Sequence, residues 1–147
     1  KITPNLWFDG NAKEAVEYYV SVFKDGKVLK TNFYPASAEE GLADFQLELA
    51  GKELVLEFEL AGQKFAAINA GPEFKFNEAV SFSVSCKDQE EIDYFWSKLS
   101  SDLASEQCGW CKDKFGLSWQ IVPENINGVN LKVSGFTRRE KDGLSIW

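Results

Sequence analysis

The sequence predicts an α+β protein in which two βαβββ modules form a curved mixed sheet around a cleft. Three observations support this fold class. Residues 16–23 (VEYYVSVF) align with residues 92–99 (IDYFWSKL), so one pattern occurs twice. In both copies an apolar run precedes this helical pattern and alternating segments follow it. A paired fold of this kind leaves a cleft where its halves meet, and clefts are the usual ligand sites.

The first module, residues 1–70, begins with a strand and a helix. We predict a strand over Ile2–Phe8, followed by a helix with Asn11 as N-cap and Glu14 completing a capping box. The residues at 24–26 end this helix. Its apolar face consists of Ala12, Ala15, Val16, Tyr19 and Phe23.

Three more segments complete this module. Lys27–Tyr34 alternates and predicts a strand. Ser37–Ala50 is ambiguous, because its ends carry helix signals while Phe45, Leu47 and Leu49 alternate; a short helix is favoured. Glu53–Leu60 and Gln63–Asn69 flank the turn residues 61 and 62, which predicts a hairpin.

The second module, residues 79–123, follows a linker at 71–78. Ala79–Cys86 is a predicted strand, and Asp88 with Glu91 three residues later marks a helix start. The apolar face of this helix consists of Ile92, Phe95, Trp96 and Leu99.

The end of this module mirrors the end of the first. We predict a short strand at Leu103–Glu106 and a hairpin of Gln107–Lys112 with Leu117–Val122. Alignment of Gly116 with Gly62 places residues 119–122 over residues 65–68.

The two modules and the linker are together predicted to form one domain, residues 1–123. Residues 124–147 show no clear hydrophobic period and are predicted to form a C-terminal tail.

Composition limits the function classes. With 147 residues, 44% of them hydrophobic, the chain can bury one core. The net charge of −7 opposes nucleic-acid binding, which concentrates lysine and arginine against phosphates. The sequence contains neither an apolar run that spans a bilayer nor a start typical of a signal peptide. We therefore expect a cytoplasmic protein with no nucleic-acid or membrane partner.

The sequence contains no histidine, which removes Ser/His/Asp and Cys/His catalytic arrangements. Its three cysteines are Cys86, Cys108 and Cys111, and the last two form a C-x-x-C pattern. Because that segment is predicted to be extended, we expect buried thiols rather than a redox or zinc site.

Several long motifs resemble a known family. Residues 69–82 (NAGPEFKFNEAVSF), 108–110 (CGW) and 112–120 (KDKFGLSWQ) are similar to the PhnB-like branch of the glyoxalase/bleomycin-resistance/dioxygenase (vicinal oxygen chelate) superfamily. The resemblance covers residues 1–123 and implies the glyoxalase-like fold. Such sequences are often labelled 3-demethylubiquinone-9 3-methyltransferase. A methyltransferase that uses S-adenosylmethionine should show a glycine-rich loop after the first strand of a doubly wound sheet. This sequence does not supply such a loop.

The resemblance also implies where the cleft residues lie. Metal-using members take ligands from the first and last strand of each module, which here correspond to Asn5, Ala66, Ser81 and Gln120. Transition-metal sites favour imidazole, thiolate or carboxylate donors, so we expect no metal and no cofactor. Asn5, Ser81 and Gln120 are instead expected to be neutral hydrogen-bonding groups in an aromatic pocket.

The predicted ligand-binding set adds aromatic residues and one amide near these positions. Trp7 shares a strand face with Asn5, and Trp7, Trp110 and Trp119 are each either core residues or pocket walls. The complete set is Asn5, Trp7, Asn69, Phe74, Phe76, Ser81 and Gln120.

The leading functional hypothesis is a metal-independent protein that binds an aromatic or cationic small molecule, since the acidic charge favours a cation.

The alternative is an enzyme of the lyase, isomerase or transferase type. Its base would be a desolvated Glu57 or Glu78, or its nucleophile would be Cys86 or Cys108. A third hypothesis is a dimer with a purely structural or partner-binding role. The resemblance and the predicted edge strands also imply a homodimer.

Overall fold

A computed structural model of the chain describes residues 1–124, which divide into two compact units that meet between Lys75 and Phe76. The prediction of a C-terminal tail therefore falls, from residue 125 onward, outside the described residues. No helix within residues 1–124 is both long and apolar enough to cross a bilayer.

The first unit contains a four-stranded sheet and one long helix. In chain order the elements are β1 (Asn5–Phe8), α1 (Ala12–Val22), β2 (Lys27–Phe33), β3 (Glu53–Leu60) and β4 (Gln63–Asn69). The strand order is β1-β4-β3-β2, in which β1 is parallel to β4 and the other pairs are antiparallel. Strand β1 begins later than predicted, after Pro4, which has no backbone N–H to donate to a sheet.

The predicted apolar face of α1 is confirmed, because all five of its residues are buried. Tyr19 of α1 lies over the ring of Phe58 with ring centroids 6.3 Å apart, and Phe58 stacks in turn on Phe65 at 5.4 Å. These stacked rings attach the helix to β3 and β4 and form the centre of this core.

Asn11 occupies the N-cap position of α1 as predicted, but the capping bond expected of its side chain is absent. Instead, Asn69 at the end of β4 accepts a hydrogen bond from the Ala12 backbone N–H at 2.9 Å. A side chain distant in the sequence therefore satisfies one of the free N–H groups of the first turn.

The ambiguous segment 37–50 forms two 3-10 helices, Ala38–Glu40 and Asp44–Leu49, rather than an α-helix or a strand. Gly41 has a φ of +109°, which ends the first helix after a single turn. Phe45 and Leu47 are 88% and 62% exposed, so their alternation does not mark a buried strand face.

The predicted β3–β4 hairpin is confirmed with its predicted boundaries. Its turn residues Ala61 and Gly62 have φ values of +49° and +80°. Positive φ at both central positions matches the right-handed twist of the flanking strands.

Residues 76–124 of the second unit form a three-stranded sheet and one long helix. The elements are β5 (Ser81–Cys86), α2 (Gln89–Leu99), β6 (Trp110–Lys112) and β7 (Ser118–Pro123). The strand order is β5-β7-β6, with β5 parallel and β6 antiparallel to β7. Asp88 caps α2 as predicted, accepting a hydrogen bond from the Glu91 backbone N–H at 2.9 Å.

Two predictions at the end of this unit need correction. Leu103–Glu106 is not a strand, because Leu103–Ser105 forms a 3-10 helix. Strand β6 begins at Trp110 rather than Gln107, because Cys108 and the following glycine have φ values of +54° and +83° and form a turn. Within the described residues, the second module therefore has three strands rather than four.

Candidate functional site

Two of the predicted ligand-contacting residues lie on the side of the first sheet that is opposite to α1. Leu6 and Phe8 of β1 are buried toward the helix. Since side chains alternate along a strand, Asn5 and Trp7 point to the other side. We call this side of each sheet, away from its own helix, the helix-free face.

Paired residues form two rows across the helix-free face of the first sheet. The register places Ile68 and Val55 beside Trp7, which makes that row apolar. The adjacent row extends from Asn5, through an alanine, to Glu57. An apolar strip therefore lies next to a polar one, which is the arrangement typical of small-molecule sites.

Trp7 and Phe74 form an aromatic pair at the edge of this face. The Trp7 Nε1–H donates a hydrogen bond to the Gly71 carbonyl at 2.8 Å, which fixes the indole ring. The Phe74 ring meets it edge to face, with centroids 4.9 Å apart and an interplanar angle of 79°. Because Phe74 is nevertheless 65% exposed, most of its ring is available for contact with another molecule.

Glu57 forms an ion pair on the same face. Its carboxylate is 2.8 Å from the Lys64 ammonium. The hydrogen bond and charge of Lys64, with a further contribution from Lys30, lower the pKa of Glu57 below its ordinary value. Glu57 is therefore a fixed anion and does not fit the role of a desolvated base. The hairpin register predicted from the turn at 61 and 62 places Lys64 directly opposite Glu59 and only diagonal to Glu57, so the turn alone does not identify this ion pair.

Asn69 has a structural position rather than an open one. It is 2% exposed, and its Oδ1 accepts the Ala12 N–H while its Nδ2 donates to the Glu53 carbonyl at 2.9 Å. Its backbone carbonyl accepts a hydrogen bond from the Tyr34 hydroxyl. Because these groups are used within the fold, we do not place Asn69 on the binding surface.

The second sheet has the same division of faces. Cys86 and Ile121 are completely buried toward α2. By alternation and register, Ser81, Gln120 and Trp110 lie on the helix-free face. Trp110 is half-buried beside Gln120 and remains a candidate wall residue.

Ser81 and Gln120 form a hydrogen-bonded pair. The Gln120 Nε2 donates to the Ser81 Oγ at 2.9 Å, and both side chains are half-buried. This bond leaves the Gln120 Oε1 as an acceptor and the Ser81 hydroxyl as a donor. The pair therefore presents neutral hydrogen-bonding groups of both kinds, and its contact with a ligand stays a prediction.

The linker contributes an ion pair to the second unit. Glu78 bonds to Lys112 of β6, and this hydrogen bond is the main reason why the pKa of Glu78 is lowered. Glu78 is therefore also an anion rather than a poised base. Phe76, the other predicted linker residue, is half-buried in this unit.

Two of the cysteines and one tryptophan belong to the core. Burial, with the nearby carboxylates of Glu91 and Asp88, raises the pKa of Cys86 to about 12, and this opposes a nucleophilic role. Burial likewise raises the pKa of Cys111 to about 12. Trp119 is 2% exposed, so it is a core residue rather than a pocket wall.

The four positions implied for metal ligands do not fit a metal. Ala66 has no donor atom, and Ser81 and Gln120 bond to each other. Neutral amide and hydroxyl oxygens are weak ligands for transition metals. In the described part of the chain, no three acidic, cysteine or histidine side chains cluster in a way that would hold a metal ion.

Comparisons with known proteins place the chain in a family. Residues 1–122 match the family described as 3-demethylubiquinone-9 3-methyltransferase. The chain belongs to this family. A search of curated proteins found no match to this sequence.

Solved structures confirm the fold class of this family member. The PhnB protein from Bacillus cereus is 32% identical, with a TM-score of 0.68, and the match covers 84% of this chain and 98% of that one. Protein PA1353 from Pseudomonas aeruginosa is 20% identical, with a TM-score of 0.62. This match covers 84% of this chain and 97% of that one. The PhnB-like resemblance and the α+β, glyoxalase-like fold with mixed sheets are thereby confirmed.

Proposed function

We propose that this PhnB-like protein is a metal-independent small-molecule binding protein that uses the helix-free faces of its sheets. The observation that carries the proposal is the Trp7–Phe74 pair, in which a fixed indole ring supports a mostly exposed phenyl ring. A large exposed aromatic ring held beside an apolar strip favours contact with an apolar or aromatic molecule.

Polar groups on the helix-free face of each sheet, taken separately, support a ligand with hydrogen-bonding groups and a positive charge. Ser81 and Gln120 supply a donor and an acceptor on the second sheet, and Glu57 supplies a carboxylate on the first. The net charge of −7 increases the local concentration of cations around the protein. An aromatic compound with an amine is therefore the ligand class we propose.

The activity in the family description is less well supported by the residues of this chain. Methyl transfer from a nucleotide-type cofactor is usually built on a doubly wound parallel sheet with a glycine-rich turn after its first strand. Here the two sheets are mixed, and Asp9-Gly10-Asn11 follows β1. A lyase, isomerase or transferase activity remains the alternative, and turnover that Gln120→Ala abolishes would favour it.

We also propose a homodimer. Among the strands of residues 1–124, β5 lies at an edge of its sheet, and it carries no charged residue, although charges commonly protect exposed edges. Light scattering at micromolar concentration should give twice the chain mass, and a monomer would contradict this proposal. A cytoplasmic location and the absence of nucleic-acid and membrane partners stay predictions.

Native mass spectrometry of freshly purified protein, paired with elemental analysis, tests the proposed function. A retained organic mass without a stoichiometric metal would support a binding protein. One transition-metal ion per chain would contradict it and would direct the search toward metal-dependent catalysis.

A further inference from the structure

A groove of about 220 Å³ lies on the opposite side of the first sheet from Trp7, between α1 and strands β2 and β3. It exists because α1 packs mainly over β3, whereas β2 is the outermost strand of this four-stranded sheet. Val28 and Phe33 of β2 therefore remain 46% and 57% exposed, although both line the groove.

The floor and one wall of this groove are apolar. Val16 of α1 and Leu56 of β3 are buried below it, and Val28 and Phe33 form the wall together with Thr31. Its volume is below the roughly 300–1,000 Å³ of pockets that take drug-sized ligands. The groove therefore fits a small apolar group.

The rim of the groove carries charges of both signs. Lys13 and Glu17 are one helical turn apart on α1, and Glu53 begins β3. Within residues 1–124 none of these three side chains takes part in an ion pair. A lysine four residues before a glutamate is the less favourable order for a helical pair, so both groups stay available.

We propose that this groove binds a free α-amino acid with an apolar side chain. The side chain would occupy the apolar floor over Val16 and Leu56. The α-ammonium group would face the carboxylates of Glu17 and Glu53, and the α-carboxylate would face the Lys13 ammonium. This site is independent of the proposed function, because it lies on the other side of the sheet.

The test uses three probes of similar shape: L-phenylalanine, phenethylamine without the carboxylate, and 3-phenylpropionate without the ammonium group. Each probe is titrated to about 10 mM against ¹⁵N-labelled protein. This concentration range covers the millimolar dissociation constant expected of a small ligand. L-Phenylalanine should shift the backbone amides of Thr31 and Leu56. Each analogue should bind about fivefold more weakly, the change that one exposed ion pair supports.

Two charge variants with matched controls complete the test. Lys13→Gln and Glu17→Gln should each weaken L-phenylalanine binding about fivefold. Lys24→Gln and Glu39→Gln remove the same charges from positions that do not line the groove, and should leave the affinity unchanged.

Three results would overturn the proposal: no shift at Thr31 or Leu56, equal affinity for all three probes, or equal loss in the controls. L-Phenylalanine that shifts the Trp7 indole N–H and leaves Thr31 unmoved would also overturn it, while supporting the proposed function. The analogue series keeps the test decisive even where a variant fails to fold.

Discussion

The Oδ1 atom of Asn69 accepts the hydrogen bond of the Ala12 backbone N–H, so the last residue of β4 caps α1 from 57 positions away in the sequence. The same side chain donates to the Glu53 carbonyl of β3. One buried amide thereby connects the helix start to two strands of the sheet. This connection fixes the position of α1 over the core.

Asn69→Ala should lower the free energy of unfolding by about 2 to 3 kcal/mol, because a buried cap and a second buried hydrogen bond are lost together. Urea denaturation followed by circular dichroism measures this change. Asn11→Ala is the matched control and should change the free energy by less than about 0.5 kcal/mol, since Asn11 makes no capping bond. A larger effect at Asn11 than at Asn69 would contradict the assignment.

Asp113 is the corresponding buried residue of the second unit. Its Oδ1 accepts the backbone N–H groups of Phe115 and Leu117, and its Oδ2 accepts the Trp119 indole N–H at 2.8 Å. Asp113→Ala should cost about 3 kcal/mol of unfolding free energy, because three donors lose a charged acceptor. Denaturation followed by tryptophan fluorescence measures this cost. Asp44→Ala, at an exposed position, should change stability little.

Buried Cys111 should make the protein less stable in alkali. Its folded-state pKa is raised to about 12, whereas an unfolded thiol ionises near pH 8.5. The stability from the neutral thiol is therefore complete below about pH 8.5 and is lost as the pH rises toward 12. Between pH 7.5 and 10 the wild type should lose roughly 1 to 2 kcal/mol more unfolding free energy than Cys111→Ala. Equal losses in both proteins would show that Cys111 contributes nothing to the pH dependence.

Phe74→Ala should separate binding from stability. Phe74 is mostly exposed, so the free energy of unfolding should change by less than about 1 kcal/mol. The emission of Trp7 should change, because its edge-to-face partner is removed, and affinity for an aromatic amine should fall about fivefold. Phe45→Ala removes another exposed phenyl ring and should alter neither the Trp7 emission nor the affinity.

Local patterns predicted most of the fold. The apolar face of α1, the Asp88 cap and the β3–β4 hairpin depend on neighbouring residues, and the structure confirms all three. The side of its own sheet on which Trp7 or Gln120 lies also follows from strand alternation. A shift of the strand register by two residues would leave each side chain on the same side. Such features are readable from the sequence because their causes lie within a few positions.

Features with distant causes were not predicted. The sequence near α1 favours Asn11 as the cap, and only the β1–β4 register brings Asn69 to the helix start. The groove under α1 depends on how far β2 extends beyond the helix, which no local pattern encodes. The 3-10 helix at Leu103–Ser105, which replaces a predicted strand, is an exception with a local cause, because Asp102 caps it by accepting the Ala104 N–H.

An NMR fragment screen is the most direct test of the proposed binding surface. Aromatic amines are added one at a time to ¹⁵N-labelled protein, and the Trp7 indole N–H and the Gln120 carboxamide are followed. We expect fragments that bind the first sheet to shift the Trp7 indole signal and fragments that bind the second sheet to shift the Gln120 carboxamide signal, and we expect Phe74→Ala to reduce the shift of Trp7. Fragments that bind while both signals stay unmoved would contradict the central claim.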